Sequence, residues 1–139
     1  MYIVNDIEHL LLLLRTLKVN EFLSASALTI SRLKAQQYSA LTMQKFNPYS
    51  QIKRQNITDL SLFETWRRGK DLDLSIGDLS TIYIATENPE LTVLLSPDNH
   101  FLPGMCDQCN VSHKHWDEVI AEIADGRMVE FYNSLKKAS

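Results

Sequence analysis

The five residues Leu91-Thr-Val-Leu-Leu95 constrain the fold more than any other part of the chain. So short an apolar run, bounded by Asn88-Pro89 before it and Pro97-Asp98 after it, fits a strand covered on both faces, as in the middle of a parallel sheet. Directly upstream, Leu74 to Ala85 has the spacing of a helix. Ser75 and Asp78 stand three apart as in a capping box, and Leu79, Ile82 and Tyr83 or Ala85 supply a buried face. A helix that feeds straight into a buried strand is the repeating unit of α/β folds.

The rest of the chain continues the alternation. Tyr2 to Asn5 reads as a short strand, and Asp6 as the N-cap of a helix carrying Ile7, Leu10, Leu11, Leu14 and Leu17. Leu12 and Leu13 widen that stripe, so the helix is buried on most sides. Val19 to Ala25 reads as a second strand, with Ser26 or Thr29 opening a helix through Ile30 and Leu33. Residues 38–55 are polar and broken by Asn47-Pro48, which predicts a surface loop or a short helix. Asn56 to Leu60 is a strand candidate, and Leu62, Phe63 and Trp66 mark a short helix ending near Gly69. A helix over Phe101 to Cys109, a strand over Val111 to His115 and a helix over Trp116 to Ala124, closed by Asp125-Gly126, complete the series. The expected architecture is a single domain over residues 1–139, a three-layer α/β sandwich with a mostly parallel central sheet.

Size and composition agree with that expectation. A chain of 139 residues, 45% hydrophobic and 22% charged, can bury a core without covalent staples. Cys106 and Cys109 are the only cysteines, and their spacing makes a poor structural bridge, which favours a reducing, cytoplasmic location. Leu10 to Leu14 is apolar, but Asp6 and Glu8 precede it where a signal peptide needs positive charge, and Arg15 ends it. It is also too short to span a bilayer, so no membrane association is expected.

The net charge of −3 divides unevenly. Residues 45–70 carry six Lys/Arg against two Asp/Glu, a net of +4, whereas residues 71–139 carry four against twelve, a net of −8. A basic strip facing an acidic half suits a metal-dependent enzyme that grips a polyanion, although such runs are also ordinary solvated surface.

Three acids occupy equivalent places in this scheme: Asp6 after the first strand, Asp78 in a helix's first turn, and Asp98 after the central strand. In open α/β sheets ligands collect outside the carboxyl ends of the strands. Clustered carboxylates there suit Mg²⁺ or Mn²⁺, and such ions can activate water for phosphodiester cleavage. Each acid alone also has a structural use, as N-cap, capping-box acid or turn residue respectively.

Residues 55–131 resemble the second half of a PIN domain, the nuclease fold of toxin–antitoxin ribonucleases and several RNA-processing factors. The resemblance rests on Leu74-Ser75-x-x-Asp78 with Ala85 following, then Leu94-Leu95-Ser96-Pro97-Asp98, Val111-x-His113, Trp116-x-x-Val119-Ile120 and Gly126. It implies metal-binding roles for Asp78 and Asp98, with Ser96 as a polar neighbour. In the first half Val4-Asn5-Asp6 offers Asp6 as the first acid, with Asn5 competing for the place. The family's Glu on an early helix has no clear counterpart, since Leu28-Thr-Ile-Ser-Arg32-Leu33 offers Ser31 or Arg32 there, and Glu21 and Glu64 stand elsewhere. What the resemblance implies is an Mg²⁺- or Mn²⁺-dependent endoribonuclease using Asp6, Asp78 and Asp98, or the same fold without catalysis, serving as a protein- or RNA-binding module. RNA is the implied substrate, with Arg67, Arg68 and Lys70 placed to meet its phosphates; an antitoxin-type partner and a homodimer are further implications.

A receiver domain also opens with a strand, acids and a leucine-rich helix, but it needs a phosphoacceptor Asp after its third strand. No Asp or Glu occurs from residue 22 to residue 58, which excludes it. Cys106-x-x-Cys109-x-x-x-His113-x-His115 contains zinc-ligating residue types. Ten residues are cramped for wrapping four ligands around one ion, and free cysteines commonly belong to cores. The third reading, a small zinc-binding domain, is therefore the least favoured.

Overall fold

The computed structural model describes residues 2–13, 28–46, 52–70, 74–95 and 101–123, and positions 130, 133 and 134. Among the described residues five strands, β1 (Tyr2–Val4), β2 (Leu28–Ser31), β3 (Lys53–Gln55), β4 (Thr92–Leu95) and β5 (His113–His115), form one sheet in the order β3-β2-β1-β4-β5. Every pairing in it is parallel, with Val4 opposite both Ile30 and Leu94. The described helices are α1 (Ile7–Leu13), α2 (Arg32–Ala35), α3 (Ala40–Phe46), α4 (Leu60–Arg67), α5 (Ile76–Glu87), α6 (Leu102–Gln108) and α7 (Trp116–Ile123).

Alternation along the strands divides the core in two. Val4, Leu28, Ile30 and Leu94 face one way and pack with Ile7 and Leu10 of α1 and with Trp116 and Val119 of α7. Ile3, Val93 and Leu95 face the other way, onto Phe63 of α4, Leu79 and Ile82 of α5, and Leu102 and Met105 of α6. The result is a three-layer α/β sandwich. Helix α5 is buried nearly all round, from Leu79 to Ala85, because the sheet lies beneath it and α2, α4 and α6 pack against it. Its partner α4 is keyed in by Phe63 and Trp66, each with its ring centroid 5.3 Å from that of Tyr83.

Two local expectations are overturned. Thr29 does not open a helix: Leu28–Ser31 is a strand, buried at all four positions between β1 and β3. The β-branched pair Thr29-Ile30 suits that slot, and the N-cap is Ser31, whose Oγ accepts from Lys34 N at 3.3 Å. Asn56 to Leu60 is not a strand either. The third strand lies just before it, over Lys53–Gln55, and Asp59 caps α4 by accepting from Leu62 N at 3.1 Å. Strand β3 is not legible in the sequence, because an edge strand of Lys-Arg-Gln carries no apolar alternation. The strand expected over Val19–Ala25 lies outside the described residues, as does the end of the first helix beyond Leu13. Among the described residues no helix is long and apolar enough to cross a membrane.

Leu94 has no exposed surface and sits in a central strand beside Val4. Leu94→Ala is expected to lower stability by about 2–5 kcal/mol, read from the shift in the urea-unfolding midpoint.

Candidate functional site at the carboxyl ends of the strands

The chain lays β2 and β3 on one side of β1 and then returns to place β4 on the other. The crevice outside the carboxyl ends of β1 and β4 is thus the topological switch point, the usual ligand position in open α/β sheets. Asn5 follows β1 directly and is 1% exposed. Helix α5 begins at the same edge, because its chain must run antiparallel to the strands before entering β4. Asp78 in its first turn is thereby brought beside Asn5, 73 residues away in the chain.

Asp78 is held by donors from three elements. Its Oδ1 accepts from Asn5 Nδ2 at 2.9 Å and from Lys34 Nζ at 2.7 Å, and its Oδ2 accepts from Ser75 N at 3.4 Å. Ser75 Oγ accepts in return from Asp78 N at 3.1 Å, completing the capping box. A carboxylate only accepts, so the Asn5 amide nitrogen must face it, leaving Asn5 Oδ1 to accept from Thr81 Oγ1 at 2.7 Å. Below this lies a hydroxyl chain, with Ser31 Oγ and Ser80 Oγ 2.5 Å apart and Ser80 Oγ donating to Gly77 O at 2.6 Å. Ser75 Oγ also donates to Gln37 Oε1 at 3.1 Å, and the missing side chain of Gly77 makes room: a Cβ there would lie 2.6 Å from the Gln37 amide.

Lys34 and Asp78 are both mostly buried, their side chains 16% and 15% exposed. Burial alone would raise the Asp78 pKa, but the Lys34, Asn5 and Ser75 donors and the Lys34 charge outweigh it and hold the carboxyl below its ordinary value. Asp6 is half-buried where β1 passes into α1, and its carbonyl accepts from Leu10 N at 3.1 Å. Tyr38 lies near both acids. Its hydroxyl donates to Asn5 O at 3.5 Å and accepts from Ile7 N at 3.3 Å. Desolvation first, then the charge of Asp6 and, more weakly, those of Glu8 and Asp78, push its phenol upward.

The expected site residues therefore fall into groups. Asp6 and Asp78 lie on the same edge, around Tyr38, while Asp98 and Ser96 lie outside the described residues. Arg67 is paired with Glu64 at 2.6 Å, Lys70 lies over the Trp66 ring at 4.9 Å, and Arg68 is exposed at the end of α4. The Cys/His residues are engaged one by one. Cys106 is in the core with its thiol pushed up to about 12 by burial and by neighbouring Cys109 and Asp107. His113 Nε2 pairs with Asp107 at 2.8 Å, and His115 Nδ1 accepts from Asp117 N at 3.0 Å at the start of α7. Among the described residues no three His, Cys, Asp or Glu side chains are grouped to hold a metal ion.

Lys34, Thr81, Gln37 and Tyr38 were not legible as site residues. Lys34 and Asp78 are 44 positions apart, and no periodicity in the chain pairs them. Comparison with protein-family models, with curated proteins and with solved structures gives no match.

Because the folded-state pKa of Asp78 is depressed, its contribution to stability is complete above its ordinary value of 3.8 and is lost as pH falls through the lowered one. Asp78→Asn is expected to cost about 2 kcal/mol at neutral pH, as for a hydrogen-bonded charge. Its stability should also fall less steeply with acid than the parent's, which thermal unfolding scans between neutrality and strong acid would reveal.

Proposed function

We propose that this chain is a PIN-like module that binds RNA without cleaving it, its acidic centre closed by a lysine ammonium. The parallel sheet ordered β3-β2-β1-β4-β5, with Asn5 and Asp78 at its switch point, is compatible with that fold. The observation that carries the reading is the Lys34–Asp78 contact at 2.7 Å. A carboxylate has about four lone-pair sites. Lys34, Asn5 and Ser75 engage three of those of Asp78.

A hard divalent cation would need the same oxygens at about 2.0–2.6 Å, together with further anionic or carbonyl ligands. Here Asn5 turns an amide N–H toward Asp78, and Lys34 neutralises that carboxylate. The described donor set therefore does not fit the metal that the fold family implies. RNA as ligand is supported by the stretch from 22 to 58, which carries no acid and, besides the internally paired Lys34, has Arg32, Lys45, Lys53 and Arg54.

The test compares RNA binding and RNA cleavage in millimolar Mn²⁺. A fluorescein-labelled single-stranded RNA is expected to bind with an affinity that falls as salt rises, by a slope of about −0.7 per phosphate contacted, and to remain uncut. Mn²⁺-dependent cleavage by the parent protein, abolished by Asp78→Asn or Asp98→Asn, would restore the nuclease reading and overturn this one. Lys34→Met is expected to gain Mn²⁺-dependent thermal stabilisation that the parent lacks.

A further inference from the structure

We propose that the cavity between α2, α3 and β3 is a nucleotide-phosphate site, taking one nucleoside monophosphate unit either free or at the end of an RNA strand. The cavity has a volume of about 240 Å³ and is lined by Arg32, Ala35, Gln36, Tyr38, Met43 and Arg54. Its geometry follows from the sheet. Arg54 of β3 is in register with Ile30 of β2, so its side chain leaves the sheet on the face that Ile30 shares with α1. Arg32 follows the end of β2 by one residue and stands beside it on that edge. Tyr38 and Met43 pack against the same core layer and give the cavity an apolar floor.

Arg32 and Arg54, from different elements, both line the cavity. Guanidinium is the side-chain group best matched to phosphate oxygens, through paired N–H donors. The apolar floor suits the flat face of a base, and the Gln36 amide can both donate to and accept from a base edge. The Tyr38 hydroxyl is turned inward to Asn5 and Ile7, and Lys34 Nζ lies 5.6 Å from its ring centroid, so the cavity meets the ring rather than the oxygen. Ligand pockets commonly span about 300–1,000 Å³, so a smaller one encloses at most one nucleotide unit. This inference does not rest on the PIN-like reading, and it is read out by a mononucleotide rather than by RNA cleavage.

Isothermal titration with adenosine 5′-monophosphate, adenosine and inorganic phosphate tests it. The monophosphate is expected to bind, with adenosine and phosphate each at least about tenfold weaker, because each lacks half of the contacts. Arg32→Gln and Arg54→Gln should each weaken the monophosphate at least about fivefold, as loss of a charge-assisted hydrogen bond does. Lys114→Gln on the opposite sheet edge should leave it unchanged. A 5′-phosphorylated RNA tetranucleotide that displaces the monophosphate, where its 5′-hydroxyl counterpart does not, assigns the site to strand ends; displacement by neither assigns it to free nucleotide. No binding of the monophosphate, equal binding of phosphate alone, or undiminished binding by the Arg32→Gln/Arg54→Gln double variant would overturn the proposal.

Discussion

Asp78 Oδ1 is where three parts of this molecule that are distant in sequence are tied together. Asn5 reaches it from the end of β1, Lys34 from α2, and Asp78 itself anchors the first turn of α5. None of these contacts is made by the backbone ladder of the sheet. They set how the most buried helix enters the sandwich and how the polar edge above it is arranged. A charged group here tolerates partial burial because its donors replace the water that burial removes. That replacement is visible in the depressed pKa, where hydrogen bonds and the lysine charge outweigh desolvation.

The same short helix faces two ways. Arg32 and Lys34 stand two apart, and on a helix such residues do not share a face. Lys34 turns toward α5 and is neutralised by Asp78, whereas Arg32 lines the open cavity with Arg54. The division separates a lysine paired with a carboxylate at the switch point from two exposed arginines at the sheet edge. The stretch from 22 to 58 carries five cations and no acid. One of those cations is consumed internally by a carboxylate from the acidic half of the chain.

The parts of the fold that could be read in advance share a physical property: a local pattern strong enough to override context. Leu91 to Leu95 and the Ser75–Asp78 capping box are of this kind, and β4 and α5 lie where those patterns place them. Trp116 to Ala124 follows the same rule, opening as α7. The parts misread depend on neighbours. Leu28–Ser31 has the composition of either element, and the choice is made by burial between two strands. Lys53–Gln55 is a strand because β2 offers it an unpaired edge, a partner invisible in three polar letters. At the switch point, the Ser75–Asp78 cap is legible in the sequence, whereas Lys34, which meets Asp78, is not.

Sequence alone determined the alternation of helices and strands, the both-faces burial of the central strand and the helix cap that carries Asp78, because each is written in residues a few positions apart. Tertiary structure alone decided that a lysine 44 positions away meets that carboxylate. It alone also brought Arg32 and Arg54 to one cavity. Spacing along a chain governs which face of an element a side chain occupies, whereas the order of strands in the sheet governs which faces meet.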